Sequence, residues 1–277
     1  MCAGSCERAQ PSESPAIGHR AAQAHWILAQ RNDTVHITVS ASPISIALVL
    51  CAAGSSTRLP GTVRKVFLPL GDRPILLHSL GLFRSIPGIV QRIVMLHPED
   101  LEMARTKWQE DFRELEVTHI LPGGAARQDT VAIALRALRP EVDLVAIHDA
   151  ARPFTPCSAI EEAIQAAAAT GAAVVAAPVT STLKKAVEGR AITTVDRHDL
   201  WVAQTPQVFR RELIEKACAQ AARDPFRATD DAQLVERLGT PVTLVRGTAE
   251  HIKVTTPDDY RLALAIYEYR TKTPGGP

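Results

Sequence analysis

The chain has 277 residues, of which 46% are hydrophobic and 4% aromatic, and its 31 basic residues almost balance its 30 acidic ones. This length is enough for one large α/β domain or two small ones, and aliphatic side chains must supply the core. A net charge of +1 excludes a protein-wide field for nucleic acid or a membrane surface. Any anion site must therefore come from a local cluster of bases.

The cysteines and the N-terminal segment bear on location. Five cysteines, an odd number without paired spacing, favour a reducing compartment such as the bacterial cytoplasm. No run approaches the roughly 20 apolar residues of a membrane span, and residues 1–43 lack the continuous apolar stretch of a secretory signal. We expect a cytoplasmic protein with a disordered extension at 1–43, a domain at 44–270 and a tail at 271–277; an organellar transit peptide at 1–43 stays an alternative.

Short apolar runs alternate with helical patterns along the domain. The apolar runs predict strands at 46–51, 91–96, 116–121, 143–147, 172–177 and 241–245. The helical patterns predict helices at 74–85, 99–113, 128–138, 158–171, 231–238 and 256–269. Ser158 with Glu161 predicts a capping box at one helix start, and Thr256 followed by Pro257 predicts a second capped start. Strand–helix alternation of this kind predicts an α/β fold with a mostly parallel sheet and helices on both faces.

One segment departs from this alternation. Residues 179–197 contain two β-like runs around Glu188-Gly189, which is a hairpin signal. Because regular α/β elements flank the segment, we expect it to project from the sheet as a β-hairpin arm.

A loop rich in small residues follows the first strand. It runs from Ala52 through Ala53 and Gly54 to Arg58, with Lys65 seven residues further on. Small residues let the backbone approach a phosphate chain, and two bases suit a triphosphate. The alternative is an ordinary glycine-rich turn with two solvated bases. The loop has neither the G-x-G-x-x-G pattern of dinucleotide-binding proteins nor the G-K-[ST] of a Walker A loop.

Two further motifs follow predicted strands. His148-Asp149-Ala150-Ala151-Arg152-Pro153 places a carboxylate at a strand end, where Asp149 could hold Mg²⁺ and Arg152 could fix the Asp or contact a substrate. A buried Asp–Arg pair that only braces a turn is the alternative. Residues 123–130 place two glycines and Thr130 where they could contact a base edge, although a helix cap explains this motif as well.

These motifs occur in a fixed order together with others. The sequence contains AAGSSTR…K, GG..R..T, HDAARPF, TLKKA…VDR, LW..QTPQ.F, ATDDA and IKVTTP.D between residues 44 and 269. The ordered set resembles the 2-C-methyl-D-erythritol 4-phosphate cytidylyltransferase family of the non-mevalonate isoprenoid pathway. The resemblance implies a Rossmann-like sheet of the nucleotidyltransferase type and transfer of CMP from CTP to methylerythritol phosphate. It also implies Mg²⁺ as cofactor, and a homodimer in which each arm reaches the partner's active site.

The resemblance also implies roles for particular residues. Arg58 and Lys65 would bind and activate the CTP phosphates, with Gly54 in the same loop. The surroundings of the cytosine and ribose would be Ala52, Ala53, Gly124, Ala125, Thr130, Asp149 and Ala150. The surroundings of the acceptor would be Arg152, Thr182, Lys184, Arg197, Thr205, Thr229 and Lys253, with Arg197 and Lys253 counted as catalytic. Asp149 would hold the metal, and Glu250 is a weaker second metal candidate.

The chain departs from the family pattern at several of these positions. Arg64-Lys65-Val66 stands where the family has Pro-Lys-Gln, which puts the loop shape around Lys65 in question. Ala125 replaces an acidic residue, Thr130 replaces a serine, and Glu250-His251 replaces Asp-Asn. Base recognition is therefore more open than phosphate chemistry.

Three rival functions remain at this point. The first is a cytidylyltransferase for another polyol phosphate, such as ribitol 5-phosphate. The second is a nicotinamide-dependent oxidoreductase, which the absent G-x-G-x-x-G disfavours. The third is a non-catalytic nucleotide-binding homologue, which the joint presence of Arg58, Lys65, Asp149, Arg197 and Lys253 disfavours.

Overall fold

The computed structural model describes residues 44–54, 63–224 and 226–273. The predictions for the 1–43 extension, for Arg58 and for most of the tail lie outside these residues. The strands are β1 (Ile46–Ala52), β2 (Pro69–Leu70), β3 (Arg73–Pro74), β4 (Ile89–Leu96), β5 (His119–Pro122), β6 (Leu144–Asp149), β7 (Ala172–Pro178), β8 (Leu183–Val187), β9 (Arg190–Val195), β10 (Trp201–Arg210) and β11 (Thr243–Arg246). The α-helices are α1 (Ile75–Gly81), α2 (Leu101–Lys107), α3 (Gln109–Glu114), α4 (Arg127–Arg136), α5 (Cys157–Thr170), α6 (Arg211–Ala221), α7 (Asp231–Glu236) and α8 (Pro257–Lys272).

A mixed sheet organises the domain. Within the described residues it has seven strands in the order β11-β7-β10-β6-β1-β4-β5. β1 pairs in parallel with β4 and β6, β4 with β5, and β7 with β11, whereas β10 is antiparallel to both of its neighbours. The mostly parallel sheet is thus confirmed. β10 was not predicted, because its Gln and Pro residues interrupt the apolar alternation and its register shifts between Ala203 and Gln207.

The two faces of the sheet are covered by different helices. Ala47 and Val49 of β1 pack in a core cluster with side chains of α4, α6 and α7. Leu48 and Leu50, which point to the opposite face, pack with side chains of α1, α2, α3 and α5. This alternation along one buried strand is the reason that a continuous apolar run suits the centre of a parallel sheet.

Two predicted helix features are wrong. The helix predicted at 99–113 is divided at Trp108, whose φ of −119° and ψ of 29° are not helical. Its buried indole stacks on Phe67 with 5.0 Å between ring centroids, so tertiary packing overrides the helical pattern. The capping box at Ser158 is also wrong, because the helix begins directly after Pro156 and Ser158 is already its second residue.

The predicted arm is a two-stranded hairpin of β8 and β9. Glu188 and Gly189 at its tip have φ values of 48° and 77°, the left-handed conformations that a two-residue hairpin turn requires. Almost every side chain of the hairpin is exposed in the single chain. None of the helices in the described ranges has the length and apolar character needed to cross a bilayer.

Candidate functional site

A cavity of about 530 Å³ opens at the carboxyl ends of β1, β4 and β6. This is the edge of a parallel sheet where α/β proteins bind ligands. Its described lining residues are Cys51, Ala52, Ala53, Gly54, Lys65, Val66, His97, Pro98, Gly123, Gly124, Ala125, Ala126, Arg127, Thr130, Asp149, Ala151, Lys253 and Thr255. The structure thus brings together, in this main cavity, most of the residues predicted to contact the nucleotide and the metal.

The Gly-Gly turn forms one wall of the main cavity. Neither glycine could be replaced by a larger residue without a collision. A Cβ on Gly123 would lie 2.2 Å from the Cβ of Ala53, and a Cβ on Gly124 would lie 2.4 Å from the Cβ of Asp129. The buried hydroxyl of Thr130 accepts from the Gly124 N–H at 3.0 Å and donates to the Ala126 carbonyl at 3.0 Å. In this structure Thr130 therefore holds the shape of the turn.

Asp149 lies at the end of β6 with only 5% of its surface exposed. One carboxylate oxygen, Oδ1, is 2.5 Å from Arg127 Nη1. The other, Oδ2, is 2.9 Å from Lys253 Nζ and 3.3 Å from Arg152 Nε. Arg127 also donates from Nε to Asp231 Oδ2 at 2.9 Å. Three bases thus surround two buried carboxylates, so this cluster carries net positive charge.

The cluster controls the ionisation of its carboxylates. Burial alone would raise the pKa of Asp149, but the charges of Arg127, Lys253 and Arg152 outweigh it and hold that pKa well below its usual range. Burial raises the pKa of Asp231, and the charge of Arg127 opposes this rise. Asp149 is therefore an anion at neutral pH.

A smaller cavity of about 240 Å³ adjoins the main one. Its described lining residues are Arg127, Asp149, Arg152, Ala203, Gln204, Thr205, Gln207, Thr229, Asp230 and Lys253. Arg127, Asp149 and Lys253 line both cavities. This side cavity contains four of the predicted acceptor residues, namely Arg152, Thr205, Thr229 and Lys253.

Thr205 connects β10 to the end of β6. Its hydroxyl accepts from the Asp149 N–H at 3.1 Å and lies 3.0 Å from Nδ1 of the buried His148. The other ring nitrogen of His148 lies 3.2 Å from the Arg152 carbonyl. Because a carbonyl can only accept, Nε2 carries the proton and Nδ1 accepts from the Thr205 hydroxyl. Burial lowers the pKa of His148 to about 4, so the ring acts as a neutral brace.

Several predicted residues lie elsewhere in the single chain. Lys184 and Arg197 belong to the arm, where Lys184 Nζ donates to Thr194 Oγ1 at 2.5 Å and Arg197 donates to the Thr180 carbonyl. Thr182 lies at the base of the same arm, and these three residues are absent from the described lining of both cavities.

Two other predicted residues lie near the cavities without lining them. Ala150 is fully buried, and its carbonyl accepts from Ser79 Oγ at 2.8 Å. Glu250 binds Arg270 at 2.8 Å. Neither is among the described residues that line the main or the side cavity.

Arg127, Gln207 and Asp231 had no role predicted from the sequence. Arg127 is part of the GG..R..T motif and Asp231 of ATDDA, but no pattern indicated that they pair across 104 positions. Gln207 fixes the start of α7, since its Oε1 accepts the N–H groups of Asp231 and Ala232 at 3.0 and 2.9 Å. Their positions within these motifs were the only available signal in the sequence. The order of the strands in the sheet is what brings the residues together.

A positive cluster around a carboxylate, at the carboxyl edge of a Rossmann-like sheet, is typical of a nucleotide-binding α/β protein. A sequence model described as IspD, 2-C-methyl-D-erythritol 4-phosphate cytidylyltransferase, matches residues 46–269. The chain therefore belongs to the 2-C-methyl-D-erythritol 4-phosphate cytidylyltransferase family.

Individual relatives agree with this membership. The chain is 41% identical over 233 residues to the 2-C-methyl-D-erythritol 4-phosphate cytidylyltransferase of Syntrophotalea carbinolica, covering 84% of this chain and 98% of the relative. It is 41% identical over 226 residues to the enzyme of the same name from Symbiobacterium thermophilum, covering 81% and 94%. The crystal structure of the Thermus thermophilus enzyme superposes with a TM-score of 0.67 at 36% identity, covering 79% of this chain and 98% of that one.

Proposed function

We propose that this chain transfers CMP from CTP to 2-C-methyl-D-erythritol 4-phosphate, giving 4-diphosphocytidyl-2-C-methyl-D-erythritol and pyrophosphate. The observation that carries the proposal is the wall of Arg127, Asp149 and Lys253 shared by the main and side cavities. A nucleotide in the main cavity and a sugar phosphate in the side cavity would meet at this wall. Membership of the family supports the choice of substrates.

The reaction is an in-line displacement at the α-phosphorus of CTP. An oxygen of the acceptor phosphate forms the new bond to phosphorus. The bond from phosphorus to the bridging oxygen of the β-phosphate breaks, and pyrophosphate leaves with the electron pair. The acceptor phosphate is already ionised near neutral pH, so the step needs no general base.

The main barrier is repulsion between two anions. Two unit charges at about 4 Å repel by roughly 4 kcal/mol at an effective dielectric near 20. Arg127, Arg152 and Lys253 surround the meeting point, and Lys65 lines the nucleotide side. Bases held in place before the substrates arrive stabilise the crowded transition state most strongly. Arg58 is included in this role from the family pattern.

Mg²⁺ is part of the proposal with Asp149 as its ligand, and because both oxygens of Asp149 pair with bases in this structure, the ion would replace at least one of these contacts. The described residues hold no group of three or more His, Cys, Asp or Glu side chains placed to bind a metal, whereas Asp149 is a single buried carboxylate between the two cavities. Mg²⁺ in nucleotide sites takes one or two carboxylates and fills its other positions with phosphate oxygens and water. Asp149 would hold the ion, which when bound neutralises part of the triphosphate charge.

The dimer with exchanged arms is part of the proposal. Thr182, Lys184 and Arg197 are outside the cavities of their own chain, so an acceptor site that includes them needs the arm of a second copy. The proposal also includes a cytoplasmic location, in keeping with the free Cys51, Cys157 and Cys218 of the described residues.

Pyrophosphate release tests the proposed function. Purified protein is incubated with CTP, Mg²⁺ and either methylerythritol phosphate, ribitol 5-phosphate or no acceptor. We expect release with methylerythritol phosphate at least 100-fold faster than with the other two. Equal rates with ribitol 5-phosphate would contradict the acceptor assignment, and no release with any acceptor, together with no calorimetric CTP binding, would contradict the activity itself.

A further inference from the structure

Arg64 directly precedes Lys65 and makes a three-point contact with the turn after β4. Its Nε donates to Asp100 Oδ2 at 2.6 Å, and its Nη2 donates to Glu99 Oε2 at 2.5 Å and to His97 Nδ1 at 2.6 Å. The side chains of Arg64 and Asp100 are only 17% and 16% exposed. Charge-assisted hydrogen bonds at this depth are stronger than surface ion pairs. We call this contact the Arg64 clamp.

The clamp joins two sides of the main cavity. Lys65 lines one side, and His97 and Pro98 line another. Arg64 itself is absent from the described lining. Its contacts therefore act on the position of the lysine and of the opposing turn rather than on a bound nucleotide.

A second anchor lies on the other side of Lys65. Val66 and Phe67 are buried, and Phe67 stacks on Trp108. The amides of Phe67 and Leu68 donate to the carbonyls of Arg64 and Lys65 at 2.9 and 3.2 Å. The backbone is thus fixed on the N-terminal side of Lys65 by the ion pairs of Arg64 and on its C-terminal side by the packing of Val66 and Phe67. A lysine side chain has four flexible carbons, so its backbone position determines where its charge can reach.

The backbone of Arg64 indicates what the clamp supplies. Its φ is −63° and its ψ is 141°, and a proline ring imposes the same φ of about −65°. In this chain an arginine and its acidic partners achieve the same restriction through hydrogen bonds.

We propose that Arg64 is a positioning residue that holds Lys65 at the α-phosphate by restricting the backbone at residue 64. The proposal rests on the proposed nucleotidyl transfer for its kinetic consequences. Its structural part, the fixing of the 64–68 backbone, stands independently of that activity.

The test compares two substitutions at one position. We expect Arg64→Ala to lower kcat about 10-fold with CTP KM changed less than about 3-fold, because small misplacements of a transition-state contact reduce the rate more than ground-state binding. Arg64→Pro should keep kcat within about 3-fold of wild type, because the ring restores the backbone restriction. Asp100→Ala should lower kcat less than Arg64→Ala does, because Arg64 keeps its contacts with Glu99 and His97. Arg84→Ala, which removes an exposed ion pair with Glu114, is the matched control and should have no effect.

A double mutant tests whether Arg64 acts through Lys65. In a Lys65→Ala background, Arg64→Ala should cause no further loss of kcat. A further 10-fold loss would overturn the positioning role. Equal losses in Arg64→Ala and Arg64→Pro would overturn the idea that backbone restriction is what the arginine supplies.

Amide hydrogen exchange separates this proposal from the proposed function. The Phe67 and Leu68 amides should exchange at least about 10-fold faster in Arg64→Ala and at the wild-type rate in Arg64→Pro. If wild-type protein transfers no nucleotide but shows this exchange pattern, the proposed function fails and the clamp stands. Unchanged exchange in Arg64→Ala would overturn the clamp, whatever the activity.

Discussion

Lys65 lines the main cavity as a cation on a backbone that is restrained on both sides. In the proposed reaction its charge matters most when negative charge accumulates around the α-phosphorus. We therefore expect Lys65→Ala to lower kcat by about 10²–10³-fold, the usual cost of removing a preorganised transition-state contact. The calorimetric CTP dissociation constant should rise less than about 10-fold. Steady-state kinetics with calorimetry checks this split, and near-normal turnover in the variant would contradict the role of the lysine.

His251 is a buried histidine whose environment favours the neutral form. Its Nε2 lies 2.6 Å from the Thr155 hydroxyl, and its carbonyl accepts from Arg152. Burial, followed by the positive charge of Arg152, lowers its pKa to about 3, and the nearby Asp149 opposes this only in part. An unfolded histidine has a pKa of about 6.5, so the unfolded chain takes up the proton first as pH falls. The contribution of the neutral His251 to the free energy of unfolding is therefore fully present above about pH 6.5 and is lost progressively as the pH falls below it.

The lowered pKa of His251 predicts a measurable pH dependence of the free energy of unfolding. Between pH 7 and pH 5, His251 should account for about 2 kcal/mol of lost unfolding free energy. We expect urea denaturation of His251→Asn to show a pH dependence that is smaller by about this amount. His198→Asn, at a side chain that is 81% exposed, is the control and should leave the dependence unchanged. An identical pH dependence in wild type and His251→Asn would contradict the buried neutral state.

Residues of the site were predictable where they directly follow a strand. Asp149 and the loop after β1 are in this class, because the carboxyl ends of neighbouring parallel strands meet at one edge. The pairing of Arg127 with both Asp149 and Asp231 was not predictable, because it depends on where α7 packs on the sheet. The Arg64 clamp could not be predicted from the sequence, because its partners lie in the turn after β4, more than 30 residues away. In the sequence Arg64 appeared only as a departure from a family pattern.

At the scale of elements, two helix starts with similar sequence signals differ in the structure. Thr256 caps α8. Its Oγ1 accepts from the Asp259 N–H at 3.2 Å, and its own N–H donates to Asp259 Oδ2 at 2.9 Å. Ser158, predicted as a cap, lies inside the first turn of α5. We expect Thr256→Ala to lower the free energy of unfolding by about 1 kcal/mol and Ser158→Ala to change it by less than about 0.5 kcal/mol. Urea denaturation of the pair decides between these starts, and equal losses would contradict the observed helix boundaries.

The strands of the sheet follow the sequence more closely than the helix ends do. Strands buried on both faces need continuous apolar runs, and β1, β4, β6 and β7 all have one. β10 lies in the same sheet but contains Gln204, Thr205 and Gln207, whose polar groups support the site and α7. Residues selected for the site weakened the local strand signal, and for this reason the antiparallel strand could not be predicted.

At the scale of the whole molecule, the arm exposes apolar side chains to solvent in the single chain. Isolated two-stranded hairpins are at best marginally stable in water. Val187 and Ile192 on the arm and Val202 at its base are 55%, 64% and 54% exposed. Exposed apolar side chains of this size are candidates for contact with a partner surface. A second copy with the same need is the covering surface in the proposed dimer, and a two-fold interface would bury both arms at once.

Mixed dimers test whether the arm serves the partner's site. Arg197→Ala should raise the acceptor KM strongly with little change in CTP binding, whereas Lys65→Ala should lower kcat. In a mixed dimer with exchanged arms, the Arg197→Ala body receives an intact arm from the Lys65→Ala chain, so one of the two sites is complete. Random mixing makes half of the dimers mixed, and we therefore expect recovery of about a quarter of wild-type activity. If native mass spectrometry shows exchanged subunits and activity stays at the level of the separate variants, each arm serves its own chain or none, and the exchanged-arm dimer is excluded.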